Sequence, residues 1–133
     1  MPTSETAAAL RQAAAGLTYP SETDAAWVAF AWPDAEGEPT ADEVKRRGKH
    51  KASAAVQEQT VDDLFAPLVQ EQGWYGDEEK AEAARNRALM DAVNRLLATP
   101  KVVKVGGRKK AVYVVGPAKD GGWAGLRTTA VET

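Results

Sequence analysis

The sequence predicts an α+β fold in which helices pack on a largely antiparallel sheet. Segments with helical spacing of apolar residues occupy the front and middle of the 133-residue chain. The end of the chain instead carries three apolar runs, at 102–105, 111–115 and 123–131, separated by glycine-containing turns. Two successive hairpins of this kind form an antiparallel meander. No internal repeat or linker divides the chain, so residues 1–133 are expected to form a single domain.

The first two elements are a helix and a strand. Ser4 is a suitable N-cap for the helix, and Gly16 is placed to end it in a left-handed conformation. Residues 25–32 then alternate small and large side chains, which predicts a strand. Its buried face is expected to carry the large residues, Val28, Phe30 and Trp32.

The segment 36–53 is polar and contains the basic run 45–51. Thr40 or Asp42 is expected to cap a short helical turn there. A second strand is predicted at 54–58.

Two helices are predicted in the middle of the chain. Thr60 caps the first, which leads into the loop 71–76. The second begins at Asp77 and ends near Thr99, because Pro100 disfavours helical geometry in the residue before it.

Composition excludes several function classes. The chain has no cysteine, so disulfides, a thiolate nucleophile and zinc–thiolate sites are absent. It lacks a basic-then-apolar leader and any apolar run near the roughly 18 residues of a membrane span, so a soluble, cytoplasmic protein is expected. A net charge of −2 argues against a dedicated nucleic-acid binder and is compatible with a basic protein partner.

No motif indicates an enzyme. His50, the sole histidine, lies between lysines and is expected to be exposed to solvent, without the orienting acid of a catalytic imidazole. Asp77, Glu78 and Glu79 point in different directions around a helix, so they complement its dipole and do not converge on a cation. The run 45–51 is either a solvated loop or, less favoured because aromatic residues are missing, a nucleic-acid contact. The segment 106–110 predicts a basic hairpin turn and no phosphate loop.

Three surface features are not explained by folding alone. The first is the aromatic pair Trp74-Tyr75, which either binds a partner or covers the edge of the core. The second is the connector at 19–24, an acidic segment that is also an ordinary turn. The third is the end of the last strand, where a fixed terminal carboxylate suits an open position on magnesium. The acids of the second and third features are Glu22, Asp24, Glu132 and the carboxylate of Thr133.

Several motifs together indicate one family. They are Gly16-Leu17, Trp32, Val61-Asp62, Trp74-Tyr75-x-Asp77-Glu78-Glu79, Val112 to Gly116, Ala124-Gly125 and Val131-Glu132-Thr133. Over nearly its full length the sequence resembles the nuclease A inhibitor family, the intracellular inhibitors of a sugar-non-specific ββα-metal nuclease. The aromatic–acid block and the closing residues are the specific matches, whereas the loop 34–57 matches poorly.

The resemblance implies a three-layer α-β-α sandwich similar to the plant PR-1 fold. It also implies inhibition by occupation of the nuclease active site, with residues that match Glu22, Trp74 and Thr133 entering it. The carboxylate of Thr133 then reaches the nuclease's catalytic magnesium, and the inhibitor has no cofactor of its own and is a monomer when free. Three neighbours are expected to extend this surface: Asp24, Tyr75 and Glu132.

One departure from the family pattern concerns the target. Gly73 precedes the loop tryptophan where the family member used for comparison has an acid. The alternative is therefore a binding or immunity-type protein for a different partner, with the fold retained. Direct nucleic-acid binding through 45–51 is the remaining, less favoured alternative.

Overall fold

The computed structural model describes residues 3–19, 25–70, 73–118 and 121–131. Within these ranges the chain forms helices, a two-stranded antiparallel sheet and a five-stranded antiparallel sheet. The helices are α1 (Thr3–Ala14), α2 (Ala41–Arg47), α3 (Val61–Val69) and α4 (Asp77–Leu96). The strands are β1 (Thr18–Tyr19), β2 (Ala25–Ala26), β3 (Val28–Trp32), β4 (Val56–Gln59), β5 (Lys101–Gly106), β6 (Lys109–Pro117) and β7 (Trp123–Val131).

The large sheet has the strand order β3-β7-β6-β5-β4. Strands β5, β6 and β7 are joined as successive hairpins, so the predicted antiparallel meander is confirmed. Strands β4 and β3 occupy the two edges, and each comes from a part of the chain that precedes the meander. The mixed helix and strand content and the antiparallel sheet therefore agree with the sequence prediction.

Both faces of the meander are buried, because successive side chains of a strand point to opposite faces. One face contributes Val102, Val114 and Leu126 to a cluster with residues of α1, α3 and α4. The opposite face contributes Tyr113 and Trp123 to a second cluster, which includes Val44 of α2. Helices α1, α3 and α4 cover the first face and α2 covers the second, where Phe30 and Trp32 remain half-buried.

The helix termini follow the capping chemistry of the sequence. The hydroxyl oxygen of Thr60 accepts a hydrogen bond from the Asp63 amide at 3.0 Å. Thr40, and not Asp42, caps α2 in the same way. Gly16 has φ of +79°, which confirms the left-handed end of the first helix.

The N-terminal boundary of α1 differs from the prediction. The helix begins at Thr3, so Ser4 lies in its first turn and is not the N-cap. Backbone hydrogen bonds set the boundary of a helix, and the strongest capping residue of a sequence need not coincide with it.

The first strand region also differs. Residues 25–32 form two short strands, and Val28, expected to be buried, is 62% exposed while Trp27 is 7% exposed. Phe30 and Trp32 are half-buried. Helix α1 contacts β3 closely, and the small side chains of the strand permit this approach. The larger side chains lie on the opposite face, which the seven-residue α2 covers only in part.

Candidate partner-binding site

Trp74 and Tyr75 lie in the short connection between α3 and α4. The side chain of Trp74 is 76% exposed, and among the described large apolar residues only Val28 is similarly exposed. Tyr75 is half-buried, and its ring meets the Trp74 ring edge-on with centroids 4.6 Å apart. This exposure excludes the alternative in which Trp74 covers the edge of the core. Tyr75 instead supports the ring of Trp74 from beside it.

The start of α4 holds this connection in place. The amide of Gly76 donates a hydrogen bond to Oε2 of Glu79 at 3.0 Å, and the amide of Lys80 donates to the Gly76 carbonyl at 3.1 Å. The acidic residues of this first turn complement the helix dipole. Arg87 of α4 donates from Nη2 to the Val69 carbonyl at 3.0 Å, which joins α4 to the end of α3.

A groove of about 280 Å³ adjoins Trp74 and is walled by the end of α3 and the first half of α4. Asn86 lines this groove and is 3% exposed. Its Nδ2 donates to the Glu82 carbonyl at 3.1 Å, whereas its Oδ1 has no hydrogen-bond partner among the described residues. Sequence reasoning missed Asn86. The available signal was a polar residue in the apolar row of α4, between Ala83 and Leu89.

The other predicted site residues, Glu22, Asp24, Glu132 and Thr133, lie outside the described residues. Strands β1 and β2 are antiparallel neighbours, and one of their residue pairs is Tyr19 with Ala25. These two residues lie at the two ends of the predicted acidic connector. Strand β7 extends to Val131, which pairs with Lys109.

Two sets of contacts connect these elements. The hydroxyl of Thr128 in β7 lies 3.2 Å from the Ala25 carbonyl oxygen and 3.0 Å from that of Ala26, so β2 is held beside the last part of β7. The ring of Trp27 contacts Tyr19 edge-on, with centroids 5.7 Å apart. It also stacks on Phe65 of α3 at 6.2 Å. The base of the acidic connector therefore contacts both β7 and the helix that leads to Trp74.

The basic run 45–51 is more ordered than a solvated loop. Arg47 has a 13% exposed side chain and forms ion pairs with Asp34 and Glu43 at 2.9 and 2.7 Å. Its guanidinium carbon lies 5.8 Å from the ring centroids of both Trp32 and Trp123. Arg46 also bonds Glu43, and the hydrogen bonds from Arg46 and then Arg47 lower the pKa of Glu43 to about 2. Part of the positive charge is thus neutralised within the fold.

The expectation that His50 is exposed is wrong. His50 is half-buried, and its Nε2 shares a hydrogen bond with the Tyr113 hydroxyl at 2.7 Å. The neighbouring lysines predict a solvated segment. The turn after α2 instead places the imidazole against the sheet face that carries Tyr113. Burial, followed by the positive charges of Arg127 and Lys45, lowers the pKa of His50.

This histidine predicts an acid-sensitive stability. Because its pKa in the folded state lies below the unfolded value near 6.5, the unfolded chain binds more protons in the window beneath that value. The contribution of His50 is fully present above pH 6.5 and is lost as pH falls through the folded pKa. Urea unfolding at pH 7.5 and pH 5 should show a lower free energy of unfolding at pH 5.

The matched control is His50→Gln, which retains a polar partner for Tyr113 without an imidazole. Carboxylates titrate mainly below this pH window, so the variant should show a smaller difference between the two pH values. An equal difference in both proteins would contradict the assignment to His50.

Among the described residues, there is no group of three or more His, Asp or Glu side chains that could hold a metal ion. None of the helices that these residues form has the length and apolar character needed to cross a membrane.

Comparison with known proteins identifies the family. The family model described as Nuclease A inhibitor-like protein matches residues 4–133, which is nearly the whole chain. A comparison with curated proteins gave no significant match. The matched range spans the exposed aromatic pair, the segment 19–24 and the final strand. The chain therefore belongs to the nuclease A inhibitor-like protein family.

Proposed function

We propose that this protein inhibits a sugar-non-specific ββα-metal endonuclease by occupying its active site. Membership of the inhibitor-like family supports a nuclease as partner and a non-enzymatic role. The structural observation that carries the proposal is the exposed indole of Trp74 in a connection held by helix-capping bonds. Large aromatic side chains presented in this way are frequent among the residues that dominate protein–protein affinity.

In the proposed complex, acids of the inhibitor replace the phosphates of a nucleic acid. A nuclease that ignores sequence binds its substrate mainly through the phosphate backbone, with cationic groups and a metal. Glu22 pairs with the cations, and the terminal carboxylate of Thr133 binds the nuclease's magnesium, a cation that prefers oxygen ligands. The indole of Trp74 fills a groove on the nuclease. Three neighbouring residues extend this contact surface: Asp24, Tyr75 and Glu132.

The topology supports a common surface for these residues. Ala25, which follows the acidic connector, lies beside Thr128 near the end of β7. Trp27 links the same connector through Phe65 to α3, and α3 leads to Trp74. Three segments that are distant in sequence are thereby joined by direct contacts between the elements that carry them.

The inhibition assay is digestion of plasmid DNA by a ββα-metal nuclease with magnesium and increasing inhibitor. We expect cleavage to stop near stoichiometric inhibitor when the nuclease concentration exceeds the Kd. A nuclease of unrelated fold serves as control and should stay active. Unchanged cleavage by the ββα-metal enzyme at a large excess of inhibitor would overturn this choice of target.

A C-terminal extension tests the role of Thr133. Adding three glycines after Thr133 moves the carboxylate about 10 Å along the chain, so we expect inhibition to weaken by at least tenfold. The melting temperature should stay unchanged, because the addition follows the last described strand residue, Val131. An extension of the same length at the N-terminus controls for chain length. Equal inhibition by the C-terminally extended protein would contradict metal binding by the terminal carboxylate.

Several properties of the free protein form part of the same proposal. The helices on the two buried faces of the sheet support a three-layer α-β-α sandwich similar to the PR-1 fold. A single domain, a monomeric state, no cofactor of its own and a cytoplasmic location complete the description. Light scattering on the purified protein should give the 14.2 kDa mass of one chain, and a mass of about 28 kDa would exclude the monomer.

A second candidate is a different protein partner, and Gly73 favours it. A side chain at this position would meet nothing within 4 Å, so the fold does not require glycine there. Gly73→Glu restores an acid before Trp74 and should leave the melting temperature unchanged. If the natural target is a basic ββα-metal nuclease, we expect tighter inhibition by the variant, about 3-fold at low salt. Weaker inhibition by the variant would favour a partner that differs at this contact.

Direct nucleic-acid binding receives less support from the structure. Arg47 is engaged by Asp34 and Glu43, so the cationic run 45–51 presents less free charge than its sequence suggests. A gel-shift titration at low salt should therefore show no retarded nucleic acid.

A further inference from the structure

We propose that the groove beside Trp74 binds an arginine side chain of the inhibited nuclease. This inference rests on the proposed function and assigns a specific partner group to a site that includes Asn86 and Glu82. The groove is bounded by Pro67 and Leu68 at the end of α3 and by Asn86 on α4. Its volume of about 280 Å³ can receive a side-chain end group.

The amide oxygen of Asn86 calls for a hydrogen-bond donor. The side chain is 3% exposed, and its Oδ1 lacks a partner among the described residues although Nδ2 is bonded to the Glu82 carbonyl. A buried acceptor without a donor is unfavourable, and such groups are uncommon in folded proteins. Oδ1 is itself buried, so a partner's donor in the groove relieves this cost through a small shift of the Asn86 side chain toward it.

The charge around the groove favours a cation. Glu79 and Glu82 both line it, and no lysine or arginine is among the described residues that do. Glu79 uses Oε2 to accept from the Gly76 amide, which leaves its second oxygen available. The rings of Trp74 and Tyr75 form a further wall, and aromatic faces attract cations.

These features favour a guanidinium over an ammonium group. Arginine presents five N–H donors in a planar arrangement, so it can bond a carboxylate and an amide oxygen together while its plane lies on an indole. Lysine offers a compact point charge without a flat face. A nuclease that holds phosphates with cations has such side chains at its substrate-binding surface.

The first experiment uses the proposed inhibition as its readout. Glu82→Gln keeps the shape of the side chain and removes its charge, and we expect the inhibition constant to rise about tenfold. Glu78→Gln is the matched control, because Glu78 is an exposed acid of the same helix that does not line the groove. Equal inhibition constants for the two variants would overturn the proposal.

Asn86→Leu separates binding from a structural role. This change removes the unpartnered oxygen at similar volume, so the melting temperature should stay equal or rise while inhibition weakens. If Asn86 were needed only for folding, the Asn86→Leu protein would have a lower melting temperature, and its folded fraction would inhibit as well as the parent protein. That second pattern would contradict the assignment of Asn86 to partner binding.

The last experiment needs no nuclease. Titration of the free protein with N-acetyl-arginine-N-methylamide should shift the NMR signals of the Trp74 indole and the Asn86 side-chain amide at millimolar concentration. The neutral citrulline analogue should produce no such shift, and Glu82→Gln should reduce it. Absence of the shift with the arginine analogue would overturn the groove assignment even where the protein inhibits a nuclease. A shift without any nuclease inhibition would leave the groove assigned and reject the proposed function.

Discussion

Replacing Trp74 with alanine is expected to weaken inhibition of a ββα-metal nuclease by about 30- to 900-fold. Loss of a central aromatic contact residue costs roughly 2–4 kcal/mol of binding free energy, which corresponds to that range in Kd. The side chain is 76% exposed in the free protein, so its removal deletes little internal packing. The free energy of unfolding of the variant should therefore stay within about 0.5 kcal/mol of the parent protein.

The measurement is the inhibition constant in a DNA digestion assay, with urea unfolding of the same samples. Trp74→Phe should fall between the parent and the alanine variant, because it keeps part of the aromatic surface. Lys51→Ala is the surface control, since Lys51 is exposed and follows α2, the helix associated with the other face of the sheet. If Trp74→Ala inhibited as well as Lys51→Ala, Trp74 would not be part of the binding surface.

Replacing Gly125 with alanine is expected to produce a large loss of stability. An added Cβ at this position would lie 1.9 Å from the carbonyl oxygen of Val114 and 2.9 Å from the ring of Phe30. Both atoms belong to neighbouring strands, and the Val114 oxygen is a backbone atom that cannot rotate away. Overpacking of this kind costs about 3 kcal/mol or more, which for this chain length lowers the melting temperature by roughly 10 °C.

Thermal unfolding followed by circular dichroism checks this prediction. Gly107→Ala provides the matched control, because an added Cβ there meets nothing within 4 Å and the residue does not have a positive φ. The control should melt within a few degrees of the parent protein. A Gly125→Ala protein with the melting temperature of the control would show that β6 and β7 can separate at little cost.

Much of the secondary structure was predictable because local chemistry determines it. Thr60 marks the start of α3 by its side-chain acceptor. Helix α4 ends at Leu96, before the end near Thr99 that Pro100 predicts, because Leu97 is extended and forms a β-bridge with Ala118. The meander was predictable from apolar runs of strand length between glycine turns. The pattern also placed Trp74 in a loop, although its exposure depends on how α3 and α4 pack.

The two errors about burial have a common physical cause. Val28 and His50 were assigned from the character of their own segments, and both assignments were wrong. Burial of Val28 depends on which face of β3 receives α1, and burial of His50 depends on Tyr113, which is 63 residues away along the chain. Neither neighbour can be identified from a short window of sequence.

The sequence by itself determined the family, the N-cap Thr60 of α3 and the order of the meander, because capping, turn chemistry and motif matches are local. The structure chose Thr40 over Asp42 as the N-cap of α2. Only the tertiary structure decided that α1, α3 and α4 share one face of the sheet while α2 lies on the other. It also decided that Asn86 lines a groove beside Trp74 and that its buried oxygen has no hydrogen-bond partner among the described residues. Both results depend on long-range packing, which a local pattern of residues does not encode.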